Sequence, residues 1–153
     1  MKTKKVYKVI IFFSSVSGIG YLKCAPGTFG SLVGFLFWIL FVPSRCVFQV
    51  FLLIVVFIVS VLFSSIAEII YNKKDDQRIV IDEVAGSWFS IAFLPKTLIV
   101  LVFGFLLFRI FDIRKPLFIR NLQKLKGGIG ITLDDIIAGM FVNIILQVIM
   151  LLW

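Results

Sequence analysis

Long apolar runs separated by short polar loops set the pattern of this chain. Residues 1–13 begin basic and turn apolar from Val9 to Phe13; the stretch is too short to cross a bilayer, and it lies at an interface or opens the domain. Residues 14–31 (SSVSGIGYLKCAPGTFGS) read as a Gly- and Ser-rich loop. Phe29 to Val42 is an apolar run stopped by Pro43-Ser44-Arg45. Cys46 to Ala67 reads as a membrane span whose only polar side chains are Gln49, Ser60, Ser64 and Ser65. After the polar loop from Glu68 to Asp82, Val84 to Leu94 reads as a short apolar helix ended by Pro95. Thr97 to Phe108 is apolar and continues through Arg109 and Asp112 to Lys115-Pro116. Residues 117–130 are basic and close on Gly127-Gly128-Ile129-Gly130. Thr132 to Trp153 reads as a capped helix, apolar after Asp135 except for Asn143 and Gln147.

The pattern predicts an all-α protein, a polytopic membrane helical bundle with about 4–5 membrane helices, some short or re-entrant, in one domain over residues 1–153. Composition agrees: 61% of residues are hydrophobic, 18 are Phe, and the mean hydropathy is +1.12. A cleaved signal peptide is disfavoured, because serines and glycines interrupt the first apolar run and Ala25-Pro26 is a poor cleavage site. With the N-terminus inside, five crossings result: 29–42, 46–67, 84–94, 97–108 and 133–153. The inner side then holds 14 of the 16 basic residues, leaving only Arg45 and Lys96 outside. That asymmetry obeys the positive-inside rule. The net charge of +8 thus points to anionic lipid headgroups and not to nucleic acid. The polar stretches 14–31, 73–83, 109–116 and 127–135 all fall on the cytoplasmic side, where they can build one site.

Acids are scarce, eight in 153 residues. Seven cluster at Asp75/Asp76/Asp82/Glu83, at Asp112 and at Asp134/Asp135. Asp82-Glu83 and Asp134-Asp135 each open an apolar helix with Ala-Gly about one turn later, a faint internal echo. An acid pair at a helix N-terminus also stabilises the helix on its own, and Thr132 with Asp135 forms a capping-box arrangement. The functional reading is metal ligation: hard carboxylates with no His or Cys nearby select Mg²⁺. Metal candidates are Asp82, Glu83, Asp134 and Asp135; Asp82, Glu83, Asp135 and Asp112 are the catalytic candidates. Arg109, Asp112 and Lys115 fall on one helical stripe, either self-paired or with the cations facing phosphate. Lys23, Thr28 and Ser31 belong to a loop entering a helix, where hydroxyls and N–H groups cap the helix or cradle phosphate.

Several chemistries are excluded. The chain has no His, so no His base, zinc triad or phosphohistidine can form. Neither Cys24 nor Cys46 has an Arg six residues on, and no Asp-x-Asp pair exists for an aspartyl phosphate. Metal-activated water remains. A cation-binding or transport protein is the alternative, but it calls for acids in mid-span. No Asp-Gly exists to start a CDP-alcohol transferase motif.

The segments APGTFGS (25–31), IVIDEVAG (79–86), FRIFDIRKP (108–116) and GGIG (127–130) with Asp134-Asp135 and Ala138-Gly139 together resemble the phosphatidylglycerophosphatase A family. The resemblance covers about residues 18–140. It implies a multi-pass lipid phosphatase of the bacterial inner membrane, Mg²⁺-dependent, with its active site facing the cytoplasm. It would hydrolyse the terminal phosphomonoester of phosphatidylglycerophosphate to phosphatidylglycerol in phospholipid biosynthesis. Arg109, Arg114 and Lys115, with Lys23 and Thr28, are then expected at the substrate phosphate. One departure falls at Asp76-Gln77, where family members often carry Asp-Pro, and it puts the role of Asp76 in question.

Overall fold

A computed structural model describes residues 2–116, 119–122 and 125–152. Lys124, and the side chains of Lys2 and Arg120, all counted in the charge map, lie outside the described residues. All regular structure among the described residues is helical: α1 (Lys2–Ser14), a 3₁₀ turn (Ile19–Tyr21), α2 (Pro26–Phe41), α3 (Cys46–Tyr71), α4 (Ile81–Ile91), α5 (Leu98–Arg114), the short α6 (Ile119–Leu122) and α7 (Gly128–Leu151).

The boundaries follow from local chemistry. Pro26 occupies the first turn of α2, where its missing N–H has no partner to lose. The Thr97 hydroxyl accepts the Val100 N–H and caps α5. Asn72 and Lys115 end α3 and α5 in left-handed conformation, the usual way to close a helix C-terminus. One expectation is corrected at α7. The helix begins at Gly128, so Thr132 lies inside it and does not cap it. The reason is tertiary: Gly128 packs on the Val61 carbonyl and on Ser65 of α3 and donates its N–H to Ser65 Oγ at 2.9 Å. The Thr132 hydroxyl instead pairs with Ser60 Oγ at 2.8 Å.

α4 sits at the centre. It runs parallel to α7, with Gly86 facing the Asp135 carbonyl, Gly139 facing the Gly86 carbonyl, and Asn143 reaching Ser90. The faint sequence echo is therefore a packing register: Asp82, Gly86 and Ser90 meet Asp135, Gly139 and Asn143 in turn. α2 is parallel as well, its Gly34 carbonyl accepting the Trp88 indole N–H at 3.0 Å. α3 and α5 run the other way, with Gln49 near Phe93 and Ser65 near Gly128 on α3, and Gly104 near Ile91 and Phe108 near Gly86 on α5. Phe35, Trp38, Phe108 and Val142 fill the core between them. The C-terminal half of α1 docks through Ile10 and Phe13 on α3, and Lys4, Lys5 and Lys8 stay exposed.

Alternating directions bring the loops 14–25 and 72–80, and the described residues between α5 and α7, to one end. The Val80 N–H reaches the Ser14 carbonyl, the Tyr21 and Tyr71 hydroxyls meet at 3.0 Å, and Lys74 donates to the Leu125 carbonyl. Lys96 lies at the other end and caps α2 through the carbonyls of Trp38, Ile39 and Val42. Among the described residues two helices, α3 and α7, are long and apolar enough to cross a membrane. The runs expected to cross at 29–42, 84–94 and 97–108 form shorter helices. α4, with 11 residues, reaches only ~16 Å of a ~30 Å hydrocarbon layer. The outward faces of α2, α3 and α5 are nonetheless apolar, with Leu40, Phe51, Ile58, Val102, Leu106 and Ile113 all exposed.

Candidate active site

Asp82 and Glu83 stand in the first turn of α4, where the helix dipole favours negative charge. The early start of α7 puts Asp134 and Asp135 in its second turn, 1% and 2% exposed. Because the two helices approach through Gly86 and Gly139, the acids converge. One carboxylate oxygen from each of Asp82, Glu83 and Asp135 lies within 4.8 Å of the other two. Asp82 Oδ1 and Glu83 Oε2 are buried without a hydrogen-bond partner. Buried carboxylate oxygens left unmet are costly, and the three together are a hard-oxygen donor set of the kind that binds Mg²⁺.

A second layer of charge surrounds this trio. Lys115, just past the end of α5, turns onto α7 and donates to Asp134. Its Nζ also lies 3.7 Å from Asp112 Oδ1 and 3.7 Å from Asp135 Oδ1. Burial alone would lower the Lys115 pKa; the carboxylates of Asp135, Asp134 and Asp112 outweigh it and hold the ammonium above its ordinary range. Arg109 Nη1 donates to Asp112 Oδ2 at 2.5 Å and to Ser31 Oγ at 3.2 Å, and its Nε is buried without a partner. Ser31 in turn donates to the Gly27 carbonyl at 2.6 Å.

Sequence reasoning identified most of these residues and missed some of their contacts. Gly27, in the first turn of α2, packs so closely on Glu83 Oε1 that a Cβ there would collide with it; glycine is what lets this helix N-terminus reach the acids. Ser31 orients Arg109, a partnership that no spacing rule reveals. Asp75 lies near enough to act electrostatically on Asp82 and Asp134. Asp112 is held by Arg109 and Lys115 and stands outside the carboxylate trio. Thr28 is half-buried beside Gly27, whereas Lys23 and Arg114 are exposed, and neither pairs with a carboxylate among the described residues.

The question over Asp76 has a structural answer. Arg78 donates to it twice through its side chain, at 2.7 and 3.0 Å, and once through its backbone N–H at 3.1 Å. These bonds hold the Asp76 carboxyl below its ordinary range. The Arg78 guanidinium also stacks on the Tyr71 ring at 3.8 Å. Asp76 therefore ties its own loop together.

The family model described as Phosphatidylglycerophosphatase A matches residues 12–150. A relative of that name from Escherichia coli K12 is 36% identical over 126 residues, covering 80% of this chain and 72% of its own. Another of that name, from Haemophilus influenzae, is 32% identical over 132 residues, covering 84% and 80%. A Bacteroides thetaiotaomicron protein that carries the provisional name of phosphatidylinositol-3-phosphatase is 32% identical over 144 residues, covering 86% and 87%. No solved structure gives a significant match. The matched region holds every acid and base of the site just described, and the chain belongs to the phosphatidylglycerophosphatase A family.

Proposed function

We propose that the protein is a multi-pass enzyme of the bacterial inner membrane that hydrolyses phosphatidylglycerophosphate to phosphatidylglycerol and phosphate, with its acid cluster on the cytoplasmic side and Mg²⁺ as cofactor. The observation that carries the metal part is the trio of Asp82, Glu83 and Asp135 with two buried, unpartnered oxygens. Family membership supports the reaction. The charge asymmetry, the apolar outer faces and the common end of the polar loops support the orientation.

Asp82, Glu83 and Asp135 would hold the ion, with Asp134 behind them. Bound there, Mg²⁺ supplies Lewis-acid charge for a phosphoryl oxygen and for water. The protein's own groups do the rest. Arg109 offers its free Nε–H to the phosphoryl oxygens, and Ser31 and Asp112 fix its plane. Lys115 stays charged and limits repulsion between the acids and the anionic headgroup. A carboxylate of the cluster not fully engaged by the ion accepts the proton of the attacking water. The phosphorus–oxygen bond to the glycerol then breaks, and that oxygen takes the proton back from the carboxyl group as it leaves. Thr28, next to Gly27 in the first turn of α2, would add a hydroxyl donor for the phosphate. Lys23 and Arg114 contribute attraction at headgroup depth.

Transport of cations is the weaker alternative: the acids gather at one end of the bundle, and the family match does not favour it. The test is phosphate release in detergent from phosphatidylglycerophosphate and from phosphatidylinositol 3-phosphate, with and without Mg²⁺. Release from the first, abolished by chelation, is expected. Preference for the second would reassign the substrate, and activity in chelator would remove the metal.

A further inference from the structure

We propose that Gln49 and Asn143 are positioning residues for the acid cluster: they pin the C-terminal end of α4 and so fix the depth at which Asp82 and Glu83 meet Asp135. The inference rests on the metal-site reading above. α4 carries the acid pair at one end and at its C-terminal end passes into the loop before α5, where Ile91 and Ala92 are each 2% exposed and the Phe93 side chain is turned outward. A helix end leaves backbone groups that need partners outside the helix.

Two amides satisfy them. Gln49 Oε1 accepts the Phe93 N–H at 2.8 Å, while Gln49 Nε2 donates to the Pro43 carbonyl at 3.1 Å. Asn143 Nδ2 donates to the carbonyls of Ser90 and Ala92 at 3.2 and 2.9 Å, and Asn143 Oδ1 accepts from Gln147 at 2.5 Å. Phe93 itself is left-handed, with φ +62°. A bulky residue keeps that strained conformation only where its surroundings enforce it.

Along its length α4 meets α7 across Gly86 and Gly139 and α2 across Gly34, with Phe108 seated against Gly86 and Ile91 against Gly104. Trp88 donates to Gly34 and packs on Phe37 and Trp38 in the middle. The amides add directional contacts at the C-terminal end, which apolar packing does not supply. A three-turn helix is stiff, so a displacement at Phe93 reaches Glu83, ~15 Å away along the axis. A shift of ~1 Å in a reacting group can lower a rate about 10²-fold.

The experiment uses the full chain in detergent, with Gln49→Met, Gln49→Glu and Asn143→Asp. Folding is followed by far-UV circular dichroism, Mn²⁺ binding by electron paramagnetic resonance, and lipid phosphatase kinetics by phosphate release. Gln49→Met is expected to lower kcat about tenfold and weaken Mn²⁺ binding, with KM within about twofold, since the amide lies far from the headgroup. Gln49→Glu, neutral when buried, keeps an acceptor for Phe93 and a donor for Pro43 and is expected to restore both. A folded Gln49→Met protein with wild-type kcat and Mn²⁺ affinity overturns the proposal, as does a folded Gln49→Glu protein damaged equally. If Gln49→Met does not fold, Asn143→Asp decides: it keeps one donor, and lowered kcat with weaker Mn²⁺ supports the proposal while unchanged values overturn it. A wild-type protein that releases no phosphate overturns the function, and Mn²⁺ binding then tests the positioning alone.

Discussion

The two ends of α4 face the same physical problem and resolve it in opposite ways. At the C-terminal end, Gln49 and Asn143 meet the N–H of Phe93 and the carbonyls of Ser90 and Ala92. At the N-terminal end, Asp82 Oδ1 and Glu83 Oε2 are buried with no partner. Both ends are built from polar side chains in an apolar bundle, where an unmet group costs several kcal/mol. One end is closed by the chain itself; the other leaves two carboxylate oxygens unmet, and the proposed function rests on that difference. Ser64 Oγ is also buried without a partner, and nothing in the structure explains it.

The comparison breaks most directly at the acid end. Glu83→Gln or Asp135→Asn should each reduce phosphate release by roughly 10²–10³-fold. The double variant should lose little more than either single one, because the carboxylates act as a unit; additive losses, or near wild-type rates, would separate these residues from the reaction. Lys115→Met should come next. It leaves Asp134 and Asp112 facing each other without their shared cation, which should destabilise the fold by about 3 kcal/mol and lower activity by roughly 10–100-fold. A thermal melt and an initial rate on the same preparation read both.

Gly139→Ala tests the register that joins the two ends. Its Cβ would press on the Gly86 carbonyl, so a loss of about 1–3 kcal/mol is expected, with a lower melting temperature as the readout. The smallest effect belongs to Asp76. Its folded pKa is depressed by Arg78, so its contribution to stability is present above the unfolded value of about 3.9 and fades as pH falls through the folded value. Asp76→Asn should therefore flatten the acid side of the stability profile, below about pH 4, and leave the neutral side parallel to wild type. An unchanged acid limb would mean that the Arg78 bonds are not formed in solution.

Much of this was legible along the chain. Proline stops and apolar runs located α2, α3 and α5 to within a few residues, because those signals act locally. The acids and Arg109 were identifiable from scarcity and position: few other roles suit ionisable groups at the edge of an apolar run. The start of α7 was misread, because Thr132 satisfies every local rule for a cap and only the contact of Gly128 with Ser65 of α3 overrides it. Gln49 and Asn143 stood out as polar residues in apolar runs, yet their partners are 44 and 51 residues away, which no periodicity reports. α4 read as a crossing because its composition is apolar; the burial of most of its residues is a property of its neighbours.

By itself, the sequence determined an all-helical, strongly apolar chain, where along it the acids and bases cluster, and the absence of His and of reactive Cys motifs. These follow from composition and local spacing. Tertiary structure decided which acids meet. Gly86 and Gly139 bring α4 and α7 together in a parallel register that gathers Asp82, Glu83 and Asp135. The same packing leaves Asp112 and Asp134 to Lys115 and Asp76 to Arg78. The physical reason is distance: a carboxylate becomes a ligand or a salt-bridge partner according to what lies within a few ångströms, and helix packing alone sets that.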